Sequence, residues 1–243
     1  FIEWRDIWFS ISILVIIILP IVSYILVKEV KLDTREESNN EIITKEIKQW
    51  KRIEVLKDYR FYIVCMTMLA MPWIATGAFV YQSFIISSKD WGPYVIAQSF
   101  MVYSILSVVT LFISGFLIDK FTSRKLLIFM NFPLLISVLV LIFFDSPITA
   151  FIFLGLIGMS NGLANVLGSS TWAEIYGVKH IGSIKALTTA LMVFATAFGT
   201  ALFGFFIDAG FSIEKIAFIA AIAIACSIAL LFTIRKKLNP VYL

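Results

Sequence analysis

Seven stretches of this chain contain no Asp, Glu, Lys, Arg or His: Ile7–Val27, Phe61–Ile86, Tyr94–Ile118, Leu126–Phe144, Ile148–Trp172, Ala186–Ile207 and Ile216–Ile234. Each is close to the length, roughly 17–25 residues, at which a helix crosses the hydrocarbon of a bilayer. Lipid offers no partner to an open sheet edge, so helices are the default. A membrane barrel would show short alternating segments in place of continuous apolar runs. The predicted fold class is all-α: a polytopic membrane protein with the lipid bilayer as its solvent. Composition agrees, with 60% hydrophobic and 15% charged residues, against about half and a quarter in soluble domains. A soluble globular enzyme and a disordered chain are both excluded. Cys65 and Cys226 lie inside spans and read as small apolar residues. No residue spacing suggests a metal site, a disulfide framework or a cofactor.

Charge sets an expected orientation. When the connections are assigned alternately to the two sides, one side receives 17 Lys and Arg and the other 3. The rich side holds residues 28–60, then Lys120, Arg124 and Lys125, then Lys179 and Lys185, then Arg235, Lys236 and Lys237. The poor side holds Arg5, Lys89 and Lys215. Cytoplasmic loops carry the excess of cations, so residues 28–60 and the C-terminus are expected in the cytoplasm. The net charge of +4 then reflects topology, with no nucleic-acid partner implied.

The chain divides into a first transmembrane helix (1–27), a polar connection (28–60), a six-helix bundle (61–238) and a tail (239–243). The connection carries nine basic and eight acidic residues. Ile43, Ile47, Trp50 and Ile53 recur at three- and four-residue steps, which predicts an amphipathic helix lying on the membrane surface or the bundle. An internal echo is also present: the third span ends Gly115-Phe-Leu-Ile-Asp119 and the sixth ends Gly204-Phe-Phe-Ile-Asp208. A three-helix unit repeated upside down places such matching ends on opposite faces.

The segment Gly115-Phe-Leu117-Ile-Asp119-Lys120-Phe-Thr122-Ser-Arg124-Lys125 joins the third and fourth spans. It resembles the signature loop of the major facilitator superfamily and departs from it at Thr122, where that family usually has Gly. Gly115 is expected to permit close helix approach and Asp119 to accept hydrogen bonds from a neighbouring helix N-terminus. Lys120, Arg124 and Lys125 would anchor the loop at the cytoplasmic surface. Trp4-Arg5 and the stretch from Trp172 to Gly182 are similar to the sixth-helix entry and the tenth-to-eleventh connection of the same superfamily. The second of these resembles bacterial members related to monocarboxylate and oxalate–formate transporters. The resemblance spans essentially the whole chain. It implies helices six to twelve of a secondary transporter in a bacterial inner membrane, partnered by an N-terminal half not contained in this sequence. It also implies a small-molecule substrate, with a small organic anion as the class suggested.

In that superfamily the seventh and tenth helices line the central cavity, which here are Phe61–Ile86 and Ile148–Trp172. The residues place the richest polar content in the same two spans. Asn161, Asn165 and Trp172 share one helix face with Ser169 beside it. Trp73, Gly77 and Tyr81 step by four, with Thr76 and Gln82 adjacent. Pro72 and Gly77 are expected to weaken their helix and free carbonyls. The candidate cavity set is therefore Trp73, Thr76, Tyr81, Gln82, Asn161, Asn165, Ser169 and Trp172. Gly158 and Gly162 read as a close-approach pair. Ser107, Thr110 and Ser114 on the third span, and Ala190, Ala197, Thr200 and Gly204 on the sixth, read as helix contact. His180, the only histidine, reads as a solvated loop residue.

None of the spans holds a charged group for proton coupling or anion binding. A retinal protein is excluded, because Ile216–Ile234 contains no Lys. A membrane enzyme lacks its catalytic set: there is no paired intramembrane Asp, no His-Glu-x-x-His and no Gly-x-Ser-x-Gly. The alternative to a transporter is a non-transporting seven-helix receptor or scaffold.

Overall fold

The computed structural model describes residues 4–33 and 47–242. Among them the protein is all-helical, with seven helical segments long and apolar enough to cross a membrane. The only β pairing in the described residues is a single antiparallel bridge between Ile47 and Tyr242. The chain forms two compact units, the first ending at Lys45. In the first unit, α1 (Trp4–Asp33) is one continuous helix that carries Pro20 inside it.

The second unit is the bundle. It opens on a short helix, α2 (Arg52–Lys57), followed by α3 (Tyr59–Val80) and α4 (Gln82–Ser88). Then come α5 (Val95–Phe121), α6 (Ser123–Leu126) and α7 (Phe132–Phe143). The last three are α8 (Ile148–Tyr176), α9 (Ile181–Asp208) and α10 (Ile213–Ile234). Two of the expected spans are interrupted. The span predicted over Phe61–Ile86 breaks at Tyr81, between α3 and α4. The span predicted from Leu126 is broken by a tight 3₁₀ turn, Leu127–Phe129, before α7 begins. Pro133 sits in the first turn of α7, where its missing N–H costs nothing.

The predicted amphipathic helix is not present in its described part. Residues 47–51 are non-helical and only Arg52–Lys57 is a helix; Ile43 lies outside the described residues. The reason is tertiary. The Lys48 N–H donates to Val241 O at 2.8 Å, and the Trp50 N–H to Tyr176 O at 3.0 Å. The Trp50 ring meets Tyr176 edge-on at 5.4 Å. These contacts spend the backbone groups that a helix would pair internally.

Packing follows an exchange rule. The helix α5 packs on α8, and α9 packs on α3; α7 packs on α8, and α10 packs on α3. Swapping the triplet α3, α5, α7 for the triplet α8, α9, α10 reproduces the same partners. The ends named in the sequence echo, Gly115–Asp119 and Gly204–Asp208, close the middle helix of each triplet. The two middle helices run in opposite directions, as inverted repeats require.

Small residues make the closest seams. A Cβ at Gly158 or Gly162 of α8 would collide with the backbone carbonyls of Tyr103 or Ser107 on α5. On the other triplet, a Cβ at Gly199 of α9 would meet the carbonyl of Trp73. This is the close-approach packing expected where lipid removes any hydrophobic drive between helices. Gly115 differs from its expectation, because a Cβ there meets nothing within 4 Å. Gly77 serves packing too: the ring of Phe203 lies against it, and α3 continues unbroken through Pro72 and Gly77. What Pro72 does free is the carbonyl of Met68, which loses its i+4 donor.

Each end of the bundle is held by polar groups. At one end Asp58 caps α3, accepting from the Arg60 N–H at 3.0 Å and from Arg60 Nε at 2.8 Å. Arg60 also donates to the carbonyls of Lys237 and Asn239, and the Tyr176 hydroxyl donates to Asp58 at 3.1 Å. At the opposite end the buried ammonium of Lys89 lies between the carboxylates of Asp145 and, at 2.9 Å, Glu214. Trp91 Nε1 donates to the Asp145 carbonyl at 2.6 Å. Burial alone would lower the Lys89 pKa, but the bonds to Asp145 and Glu214 outweigh it and raise the value above the ordinary lysine range.

Candidate functional site

The helices α3, α8 and α9 border a partly open cavity of about 140 Å³. From α8 come Asn161, Asn165 and Trp172; α3 adds Met68 and Pro72, and α9 adds Thr188. The i, i+4 step between the two asparagines puts both amides on one helix face. The amide of Asn161 donates to Ser107 Oγ at 2.9 Å, and that of Asn165 to the Asn161 carbonyl at 3.0 Å. Among the described residues nothing donates to either amide oxygen. Each side chain therefore keeps an acceptor and a second N–H. Trp172 is held by aromatic neighbours: it stacks on Tyr176 at 6.0 Å and tilts against Phe61 at 5.3 Å. No charged residue lines the cavity, and no group of His, Cys, Asp and Glu among the described residues could hold a metal ion.

Other candidates from the sequence fall elsewhere. Ser169 is half-buried beside the cavity without lining it. Trp73 faces a separate apolar pocket of about 230 Å³ formed with Phe194 and Phe198 of α9 and Ser227 of α10. Tyr81 stacks on Phe203 at 6.5 Å, and its hydroxyl lies over Gly204. Thr76 and Gln82 line neither pocket. The α3 face that the four-residue step identified is thus largely the seam with α9.

The loop after α5 is arranged differently from its expectation. Thr122 ends α5 at φ 68°, in the region that favours glycine. That explains why glycine suits this position and shows that threonine can adopt the same turn. The carboxylate at the start of α6 belongs to Glu174 of α8. It accepts from the Ser123 N–H at 2.8 Å, the Arg124 N–H at 3.3 Å and Arg124 Nε at 3.0 Å. Asp119, assigned that role from the sequence, is exposed. Arg124 reaches on to the Asn239 side chain at 2.8 Å, while Lys120 and Lys125 are exposed.

Sequence reasoning missed two residues. Glu174 is the only acid between Asp145 and Asp208, and that isolation was a usable signal. Asn131 is fully buried, and its amide donates to the Thr67 carbonyl of α3 at 2.7 Å. Its cue was the Asn131-Phe-Pro133 interruption of an apolar run.

Six membrane-length helical segments paired by an inverted-repeat rule, with a Glu-anchored basic loop after the second, point to one architecture. The family model of the Major Facilitator Superfamily matches residues 62–241. The chain belongs to this superfamily. No curated protein and no solved structure matches it. Membership makes it a membrane transporter embedded in a bilayer through multiple helices.

Proposed function

We propose that this superfamily bundle moves a small polar solute by alternating access, rocking against a second bundle across the face where Asn161 and Asn165 lie. The observation that carries the reading is the pair of amides with unpaired oxygens in a cavity between α3, α8 and α9. Asn161 is half-buried and Asn165 exposed; their free oxygens can accept from a solute hydroxyl, and their second N–H groups can donate to a hydroxyl or a carboxylate. At about 140 Å³ the space is smaller than the roughly 300–1,000 Å³ of a typical ligand site, which suits one wall of a site completed by a facing bundle. The Met68 carbonyl freed by Pro72 adds an acceptor near the same space. The organic-anion class rests on the sequence resemblance. The cavity wall carries no cation, so an anion would take its counter-charge from the facing bundle. The charge asymmetry orients the Arg60–Arg124 end to the cytoplasm.

The test is uptake into proteoliposomes in which the facing bundle is present together with either the wild-type chain or the Asn161→Ala, Asn165→Ala double variant. A panel of radiolabelled small organic acids, polyols and amino acids serves as substrate. We expect the wild type to move at least one class, and the double variant to insert normally with uptake reduced tenfold or more. Unchanged uptake by the double variant would remove the cavity assignment.

A further inference from the structure

A second cleft lies at the Arg60–Arg124 end, between the α6 turn and the end of α10. It has a volume of about 510 Å³ and is bordered by Arg124, Lys125, Arg235 and Lys236. None of the bordering residues is acidic. Arg124 is neutralised by Glu174 at 3.0 Å. Lys125, Arg235 and Lys236 are exposed and pair with no carboxylate among the described residues. Three cations thus converge on one concavity with no counter-ion among the described residues, an arrangement that favours the entry of an anion.

The rest of the lining identifies the anion. Ile128, Phe129 and Phe232 form an apolar side of the same cleft. Phe129 is 58% and Phe232 39% exposed, although both belong to membrane-length segments. The guanidinium of Arg235 lies 5.7 Å from the Phe232 ring, at the junction of the charged and apolar sides. A soluble phosphate would use the cations and leave the apolar side idle. A phospholipid uses both, its headgroup among the cations and an acyl chain along the two phenylalanines. Thr122 also borders the cleft, and its hydroxyl has no partner among the described residues.

We propose that this cleft binds one anionic phospholipid of the membrane leaflet on its side. Basic pockets between helix ends are suited to such headgroups. The proposal needs the membrane setting and does not depend on the transport reading.

The test uses the full chain in nanodiscs of phosphatidylcholine doped with phosphatidylglycerol, with retained lipid counted by native mass spectrometry. Phosphatidylglycerol should be retained in preference to phosphatidylcholine. The Lys125→Gln, Arg235→Gln, Lys236→Gln variant should lose that preference tenfold or more, each cation contributing roughly fivefold. Lys125→Arg with Lys236→Arg should keep it. So should Lys179→Gln with Lys185→Gln, which removes charge from the same end outside the cleft. If the triple variant aggregates, Lys236→Gln alone should read the single roughly fivefold loss. Equal retention of the two lipids, an equal loss in the Lys179, Lys185 variant, or displacement of the lipid by inorganic phosphate would each overturn the proposal.

Discussion

The two faces of α8 use small residues for opposite ends. On the face toward α5, Gly158 and Gly162 let two backbones touch, and there is no room for a single added carbon. On the face toward α3 and α9, Gly168 lies beside Asn161, Asn165 and Trp172, and an added Cβ there meets nothing within 4 Å. In one place glycine creates contact, and in the other it preserves space. A rigid seam on one side lets the opposite side keep an opening, because the helix cannot collapse into it without leaving its partner. The difference teaches that a glycine pattern in a membrane helix cannot be read as packing until the facing element is known.

Substitutions separate the two uses. The largest effect is expected for Gly158→Leu, which drives a side chain into the Tyr103 carbonyl. It should cost more than about 3 kcal/mol and yield protein that aggregates on extraction, measured by size exclusion. Gly168→Leu should leave extraction intact and the melting temperature unchanged or slightly raised, since the glycine helix penalty is removed, while cutting uptake tenfold or more by filling the cavity. If Gly168→Leu instead destabilises as Gly158→Leu does, the contrast between the faces fails.

Smaller effects bear on how α8 and its seam partner are held. Asp145 precedes α8 and is tied to Lys89. Lys89→Met should cost about 1 kcal/mol, a modest figure because the partner carboxylates are exposed to solvent screening. The sign with pH follows from the raised lysine value. The contribution is fully present below the unfolded lysine pKa, and it is lost as pH rises through the higher folded one. Alkaline melting curves should therefore fall for wild type and stay flatter for Lys89→Met. The smallest effect is Gly115→Ala on α5. It should stabilise by about 0.5–1 kcal/mol, because open space removes the clash and leaves only the helix penalty of glycine. Thermal denaturation measures it, and a loss would place Gly115 with Gly158 as a contact residue.

Much of this was legible in the residues. Long uncharged runs located every span, since a charge in hydrocarbon is expensive whatever the tertiary structure. The Gly158–Gly162 spacing marked its seam, and the Asn161–Asn165 step marked the cavity face. The breaks at Tyr81 and at Leu127–Phe129 were not legible, because hydropathy continues through them. The α3 face was misread for a related reason. Trp73 and Tyr81 are polar at one edge and large everywhere else, and the aromatic bulk decided where they packed. The helix expected through Ile47 and Trp50 had the right periodicity and lost to the backbone carbonyls of Tyr176 and Val241, 126 and 193 residues away in sequence. Glu174 displaced Asp119 because a helix-end carboxylate was already aimed at the turn.

The clasp around Arg60 has a consequence for how the protein is made. Its local partner, Asp58, is two residues away and is present as soon as the helix emerges. Its remaining acceptors lie 177 and 179 residues later. The guanidinium therefore approaches the bilayer already neutralised, and waits through the synthesis of five further spans with part of its donor capacity turned to water. Completion of the clasp reports that α10 has been threaded and that its end has returned to the side from which α3 entered. The ring of contacts at this end thus closes only in a chain whose last helix has taken its correct direction.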